Sequence, residues 1–429
     1  MNGLSQKQYL ELPLPTEDDP RSDQQRILDS LMAAGVEERV HIPVHILREL
    51  YPLLDNAKWK ITVSLAWNGE NWEMVEIEEG DTTAQHYGLA VDLGSTTVVA
   101  RLLDCNSGEI LKEVSCFNKQ IQWGTDILSR IFYCKDNKEK LEEVRRATVE
   151  SICECMDKLD ASHSALSMVI AGNTTMIHFL LGMDAFCVFY TPHAVHADCP
   201  GFQLARDLDI PLKGYVYCYP AKSNYLGGDI ISGMIDTELY KKNEISVFFD
   251  IGTNGELVIG NKEFLLCGAG AAGPALEGGV VRTGMRADIG AVDEVKIRDG
   301  NIYVHVIGSH KEDSGSHEKN SGNHEENSSG EEPRGICGSG IIDLIAELFL
   351  EGWIDIRGKL SPEKSPLIQE RDNQLCVEYA PGLYFYQKDI DEFIRTKSAA
   401  HTMVEIMLRE SGLDLDPVSY THLTLPTKA

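Results

Sequence analysis

The chain has 429 residues, 43% of them hydrophobic and 25% charged, with a formal net charge of -28. That length predicts two or three domains with a sizeable buried core, and the acidic balance excludes electrostatic attraction to nucleic acid or to an anionic membrane surface. No apolar run of about 18 residues is present, and the N-terminus lacks a basic-then-apolar signal layout, so a cytoplasmic location is expected.

Residues 1–20 are Pro-rich and acidic and predict an extended linker; Arg21 to Ala34 predicts a short helix with Ile27, Leu28, Leu31 and Met32 on one side. In WKITVSLAW, Trp59, Ile61, Val63, Leu65 and Trp67 alternate, and Asn68-Gly69 predicts a two-residue turn into NWEMVEIEEG. Residues 1–86 are therefore expected to form a linker and a small α+β middle domain.

From Tyr87 the pattern reads strand, Gly-rich turn, strand, a turn at Asn106-Ser107-Gly108 and a third strand, then helices. SMVIAGNTTMIHFLLG and GYVYCYP with GGDIISGMIDTELY each predict a strand followed by a helix, so residues 87–244 read βββαβαβα. The amphipathic run from Glu139 to Leu159 contains Cys153 and Cys155. Residues two apart on a helix point in opposite directions, so these two do not form a chelating pair. The eleven cysteines include no CxxC pair and read as free thiols, with neither a zinc ribbon nor an iron-sulfur pattern.

Residues 245–416 open in the same way, with ISVFFDI, GELVIG and EFLLCGAG as strands, then the small-residue segment GAGAAGPALEGG and the hairpin pattern VDEVKIRDGNIYVHVIG. Residues 309–332 contain no aliphatic or aromatic side chain and predict a disordered insertion. His310, His317 and His324 recur there every seven residues, where a solvated loop is favoured over a metal site. GSGIIDLIAELFLEGW predicts a helix with Ile341, Ile345 and Leu348 inward, and a long helix follows from about Asp389 to Ser411. Residues 417–429 show no apolar period and read as a tail foreign to the native fold, which implies a second half truncated at its C-terminus.

Two segments organise the chain. LAVDLGSTTVVARLLD and VFFDIGTNGELVIG share an apolar run, an Asp, an apolar residue, a Gly and a hydroxyl residue at an offset of 158 positions, which marks an internal duplication. A tight Gly turn with hydroxyl neighbours presents backbone N–H groups to an anion. Two such turns facing each other would clamp a polyphosphate. An Asp at the end of each preceding strand suits Mg²⁺, which prefers one or two carboxylates and retained waters. Asp92 and Asp250 are the expected metal residues, acting through bound water. Gly94, Ser95, Thr96 and Thr97, with Gly252, Thr253, Asn254 and Gly255, are the expected phosphate cradles. Gly338, Ser339 and Gly340 open a helix whose N-terminal amides suit a ribose or phosphate. Asp126 either orients water or caps a helix, Glu277 is either a base or structural, and Asn173 either faces the site or caps its helix. The catalytic base is left unassigned.

The paired turns resemble the phosphate loops of the superfamily joining sugar kinases, Hsp70 chaperones and actin. With LPTEDDPRSDQQRIL, NKQIQWGTDILSRI, IAGNTTMIHFLLG, CGAGAAGPALEGG and GICGSGIIDLIAEL, the chain from about residue 8 to 412 resembles the reductive activators of corrinoid proteins. The resemblance implies an α/β fold, a duplicated ribonuclease H-like ATPase of the actin, hexokinase and Hsp70 kind with a small N-terminal α+β module. It further implies ATP-dependent reduction of cob(II)alamin to cob(I)alamin, with ATP and Mg²⁺ as cofactors. The partners it implies are a corrinoid protein or corrinoid-dependent methyltransferase and a ferredoxin-type donor; a homodimer stays open. The family's [2Fe-2S] domain has no counterpart in these cysteines, and its late Gly-Gly turn over adenine has no match after Gly412. A nucleotide-sensing protein without turnover and a small-molecule kinase on the same fold are the alternatives.

Overall fold

The computed structural model describes residues 3–124, 126–161, 164–251, 255–270, 281–285, 287–308, 331–412 and 418–424. They belong to two compact units, Met1–Gly233 and Met234–Ala429. In chain order the first holds β1 (Ser5–Glu11), α1 (Asp23–Ala33), β2 (Val40–His41), α2 (Val44–Asn56), β3 (Lys60–Trp67), β4 (Trp72–Glu79), β5 (Tyr87–Leu93), β6 (Thr97–Asp104), β7 (Ile110–Phe117), α3 (Ile127–Cys134), α4 (Lys138–Lys158), β8 (Ala165–Gly172), α5 (Thr174–Leu180), β9 (Gly201–Leu204), β10 (Tyr215–Cys218) and most of α6 (Gly228–Thr237).

The N-terminal module is a four-stranded sheet in the order β1-β3-β4-β2, with α1 and α2 packed around a core that includes Ile27, Leu31, Leu54, Ile61 and Trp72. One expectation is refined and one corrected here. Within the opening residues, 5–11 form a strand, β1, which pairs antiparallel with β3 from Ser5↔Ala66 to Glu11↔Lys60. The acidic Pro-rich segment after it is fastened by the fully buried Arg26, which donates to Asp19 Oδ2 at 2.6 Å and to the Pro13 carbonyl at 3.3 Å. The turn after Trp67 has four residues rather than two, since the Asn68 side chain accepts from the amides of Glu70 and Asn71, both at 2.9 Å. An Asx turn outcompetes the shorter hairpin.

The module is joined firmly to the sheet that follows. Ala66, Val75 and Leu166 form a small apolar contact, Tyr215 donates to Glu73 at 3.0 Å, and Ser5 links His86 (2.9 Å) to Ser167 (3.2 Å). That second sheet has the order β7-β6-β5-β8-β10-β9; β5, β8 and β10 run parallel and send their carboxyl ends to one edge. Leu89, Val91 and Leu93 on one face of β5 pack in a core shared with Ile152 and Met156 of α4 and Phe179 of α5. Cys153 and Cys155 do not meet; the Cys155 sulfur lies instead 3.3 Å from that of Cys116 on β7.

The second unit continues with β11 (Ile245–Ile251), β12 (Gly255–Gly260), β13 (Leu265–Gly270), β14 (Ala291–Arg298), β15 (Asn301–Val306), β16 (Gly335–Ile336), α7 (Gly338–Leu350), β17 (Ile368–Arg371), β18 (Gln374–Ala380), β19 (Leu383–Tyr386), α8 (Gln387–Ser411) and β20 (Val418–Thr424). Its sheets have the orders β13-β12-β11-β20, β15-β14-β16 and β17-β18-β19. Ile341, Ile345 and Leu348 of α7 are buried in one core, while Met407 and Leu408 of α8 pack with Val247, Phe249, Leu257 and Ile259 in another.

The reading of residues 417–429 as a tail outside the fold is corrected over 418–424, which pair parallel with β11 from Ile245↔Val418 to Asp250↔Thr424. A stretch of β-branched and aromatic residues needs no apolar alternation to join a sheet edge. The His-rich stretch with His310, His317 and His324 lies outside the described residues. Among the described residues no helix is long and apolar enough to cross a membrane.

Candidate functional site

Period-two alternation answers why a carboxylate interrupts the apolar strand β5. In β5 the side chains of Leu89, Val91 and Leu93 are buried on one face, which places Asp92 on the other, exposed. Asp92 is the penultimate residue of its strand, flanked by Val99 on antiparallel β6 and Ala171 on parallel β8. Its carboxyl pKa is nevertheless raised to about 6, first because surrounding protein desolvates it and second because the charge of Asp229 lies close. A carboxylate that reaches water through a confined opening has both properties.

The turn after β5 is shaped by Gly94, where a Cβ would come within 2.4 Å of the Thr97 carbonyl. Its carbonyls are tied to three donors on the segment after β7 and on α3. Gly94 O accepts from Asn118 Nδ2 at 2.9 Å, Ser95 O from Arg130 Nη1 at 2.6 Å, and Thr96 O from the Asn118 amide at 2.9 Å. Asn118, Gln120 and Arg130 are all fully buried. Arg130 also donates to Gln120 Oε1 at 3.1 Å and to Gly124 O at 3.0 Å, while its Nη2 is enclosed without a partner. Burial draws its pKa down to about 10.

Asp126 caps α3, accepting from the Ser129 amide at 2.8 Å and the Ser129 hydroxyl at 2.6 Å. Those bonds, the hydroxyl's first, hold its carboxyl below the usual range. Of its two expected roles, this geometry is the cap.

At the same edge, β8 ends in Gly172, where a Cβ would meet the Leu93 carbonyl at 2.7 Å, and Asn173 caps α5 by accepting from Met176 N at 3.0 Å. Gly227, just before α6, would clash with Asn173 Cα at 2.5 Å and Gly172 O at 2.6 Å, and lies 2.8 Å from Asp229 Oδ1 by the same measure. Only glycine lets these strand and helix ends close up. Asp229 accepts from the Ile230 amide at 2.8 Å, and burial raises its pKa. In the neighbouring loop Asn224 has both side-chain amide atoms enclosed without a partner. Sequence reasoning missed Asn118, Arg130, Asn224 and Asp229. Only Asp229 carried a local signal, the Gly-Gly-Asp that opens a helix after a strand.

In the second unit Asp250 is half-buried on β11, opposite Glu256 of antiparallel β12 and Thr424 of parallel β20. Gly255 begins β12 and is buried. Gly252, Thr253, Asn254 and Glu277 lie outside the described residues. Gly338, Ser339 and Gly340 form the first turn of α7, whose N-cap, Cys337, makes no side-chain capping bond. Close packing requires Gly340, where a Cβ would fall 2.3 Å from the Val292 carbonyl. Among the described residues no group of three or more His, Cys, Asp or Glu is placed to hold a metal ion. An iron-sulfur cluster therefore finds no ligand set among them. Mg²⁺ fits better, because it is held by one or two carboxylates, waters and a ligand's phosphates rather than by an all-protein cage.

An antiparallel strand pair with an acidic residue near the end of its first strand recurs in two sheets, and the match of residues 244–424 to an ASKHA-domain model makes this an α/β chain of the actin, hexokinase and Hsp70 class. The family models agree in detail: the RACo linker region matches residues 1–84, the RACo middle region 87–242, and the C-terminal domain of RACo, the ASKHA domain, 244–424. The chain belongs to the family of reductive activators of corrinoid proteins. A solved structure titled "Reductive activator for corrinoid,iron-sulfur protein" is 32% identical with a TM-score of 0.86, covering 98% of this chain and 67% of that one. The corrinoid activation enzyme RamQ of Eubacterium limosum is 33% identical over 352 residues, 76% of this chain and 55% of the relative. A Methanosarcina barkeri protein named as a reductase of the Co(II) methylated amine-specific corrinoid protein is 23% identical over 351 residues, 79% of this chain and 62% of its own. The chain thus spans 55% and 62% of the length of these two curated relatives.

Proposed function

We propose that the chain is the nucleotide-binding part of an ATP-dependent reductive activator, coupling ATP binding and hydrolysis to the reduction of cob(II)alamin to cob(I)alamin on a corrinoid protein or corrinoid-dependent methyltransferase, in the cytoplasm. The observation that carries the reading is the edge of the β5 sheet, where the solvent-reaching Asp92 stands beside a glycine-shaped turn in a chain of this family. Asp92 and Asp250 are the carboxylates that would hold Mg²⁺, through bound water. The Gly94–Thr97 turn is the phosphate cradle of the first unit, Gly252, Thr253, Asn254 and Gly255 are the candidates for that role in the second, and Gly338, Ser339 and Gly340 meet ribose or phosphate through the first turn of α7. Bound Mg²⁺ supplies positive charge that offsets the phosphates and the mutual repulsion of Asp92 and Asp229. Asp126 and Glu277 remain candidates for orienting or activating water.

One electron moves from a ferredoxin-type donor to the cobalt of the partner, and this transfer is uphill. ATP drives it by binding one state of the activator and partner complex better than another. The test mixes the full chain with a candidate corrinoid protein in its cob(II) state and a low-potential reductant, and follows the cob(II)alamin absorbance with and without MgATP. Bleaching that needs MgATP supports the reading; a rate indifferent to MgATP overturns it.

A further inference from the structure

In a planar trans peptide the C=O and the following N–H point in opposite directions. Fixing one therefore fixes the other. Three successive carbonyls of the β5–β6 turn, those of Gly94, Ser95 and Thr96, are held by donors from one connected group: the Asn118 side chain, the Arg130 guanidinium and the Asn118 amide. Gln120 closes that group, since its carbonyl oxygen accepts from Arg130 while its own backbone amide donates to Asn118 Oδ1 at 3.1 Å.

We infer that Asn118 and Arg130 are positioning residues for polyphosphate: by holding these carbonyls they aim the amides of Ser95 and Thr97 away from the scaffold and toward the phosphate. The inference rests on the ATP reading above and adds to it the residues that set the turn. Arg130 contributes a second effect. It is fully buried, and the one carboxylate acting on its charge is Asp126, through space rather than through a hydrogen bond. Its hydrogen bonds go to two backbone carbonyls and a glutamine, dipoles rather than a carboxylate, and among the described residues Nη2 has no hydrogen-bond partner. A buried cation satisfied only by dipoles favours an anion on the far side of those dipoles. Neither residue touches the ligand, because both side chains are closed off from solvent.

The experiment measures calorimetric affinities of the full chain for MgATP, for inorganic tripolyphosphate and for adenosine. Arg130→Gln and Asn118→Asp should each weaken MgATP and tripolyphosphate binding by about ten- to hundredfold while leaving adenosine affinity unchanged. Asn118→Asp is the second, near-isosteric variant, which replaces the donor to Gly94 with an acceptor and decides the matter if Arg130→Gln does not fold. Arg130→Lys, able to reach one carbonyl but not the fork of partners, should recover part of the loss. Unchanged tripolyphosphate affinity in the folded variants, or an equal loss for adenosine, overturns the positioning role alone. A wild-type chain that binds neither MgATP nor tripolyphosphate overturns the ATP reading and this inference with it.

Discussion

The strands β5 and β11 are built alike and finished differently. Each is flanked by the antiparallel strand next in sequence, β6 or β12, and by a parallel strand that arrives later, β8 or β20. In the first unit the edge is extended by β10 and by the starts of α5 and α6, which bring Asn173 and Asp229 to it. In the second, β11 lies in a four-stranded sheet, and α7 starts from β16 in another. Duplication therefore preserved the strand pair that carries the carboxylate, while what surrounds it diverged.

The largest effects separate the two units as folding entities. Phe179 and Phe385 are both completely buried, one in each unit. Truncating either to Ala should cost about 4 kcal/mol. Hydrogen exchange should report the loss in the unit that carries the change; equal deprotection of both units by either variant would show that they unfold as one.

Binding tests the equivalence of the two carboxylates more directly. Asp92→Asn and Asp250→Asn should each weaken MgATP by about a hundredfold, if each carboxylate acts on Mg²⁺. A loss on one side only would break the symmetry that the repeat implies and leave a single metal carboxylate.

Acid should act on the units with opposite sign. Burial, the larger cause, lowers the pKa of His178, whose Nδ1 bonds the Thr174 carbonyl at 2.7 Å and whose Nε2 accepts from the His196 and Ala197 amides at 3.2 and 3.4 Å. The nearby His196 ring lowers it further, whereas Asp184 and the Thr174 carbonyl work the other way. A protonated Nε2 would face two donors. The contribution of His178 is therefore complete above the ordinary histidine value of about 6.5 and is lost as pH falls below it. In the second unit burial raises the pKa of Asp389, so its contribution is complete below the ordinary carboxylate range and is lost as pH rises through its raised value. Melting profiles between pH 7 and 5 should flatten for His178→Gln relative to the parent chain. An unaltered pH slope in that variant would remove the histidine from the account.

How much of this could be read from residues alone depends on how local the cause is. The repeated Asp within apolar strands, the α4 period and the inward stripe of α7 are properties of neighbouring residues, and they were legible. β1 was hidden because SQKQYLE is polar and only Ser5 and Leu10 are buried, so its partner β3 decides its conformation. β20 was hidden because it shows no apolar alternation and is set by its pairing with β11. Within the site, Asp92 announced itself, whereas no local pattern singles out Arg130. Its partner Ser95 lies 35 positions away, and only the fold brings the two together.

Asn173 offers the finest distinction, because its sequence position allows both a cap and a ligand contact. The structure places its side chain on the Met176 amide, while α7 in the other unit begins without a side-chain cap. Asn173→Ala should therefore cost about 1 kcal/mol of stability. A cap acts on the free and the liganded protein alike, so the same loss should appear in unfolding measured without nucleotide and with saturating MgATP. If the loss grows in the presence of MgATP, Asn173 contributes to binding as well. The edge of the first unit would then use a side chain where α7, in the second, offers its uncapped first turn.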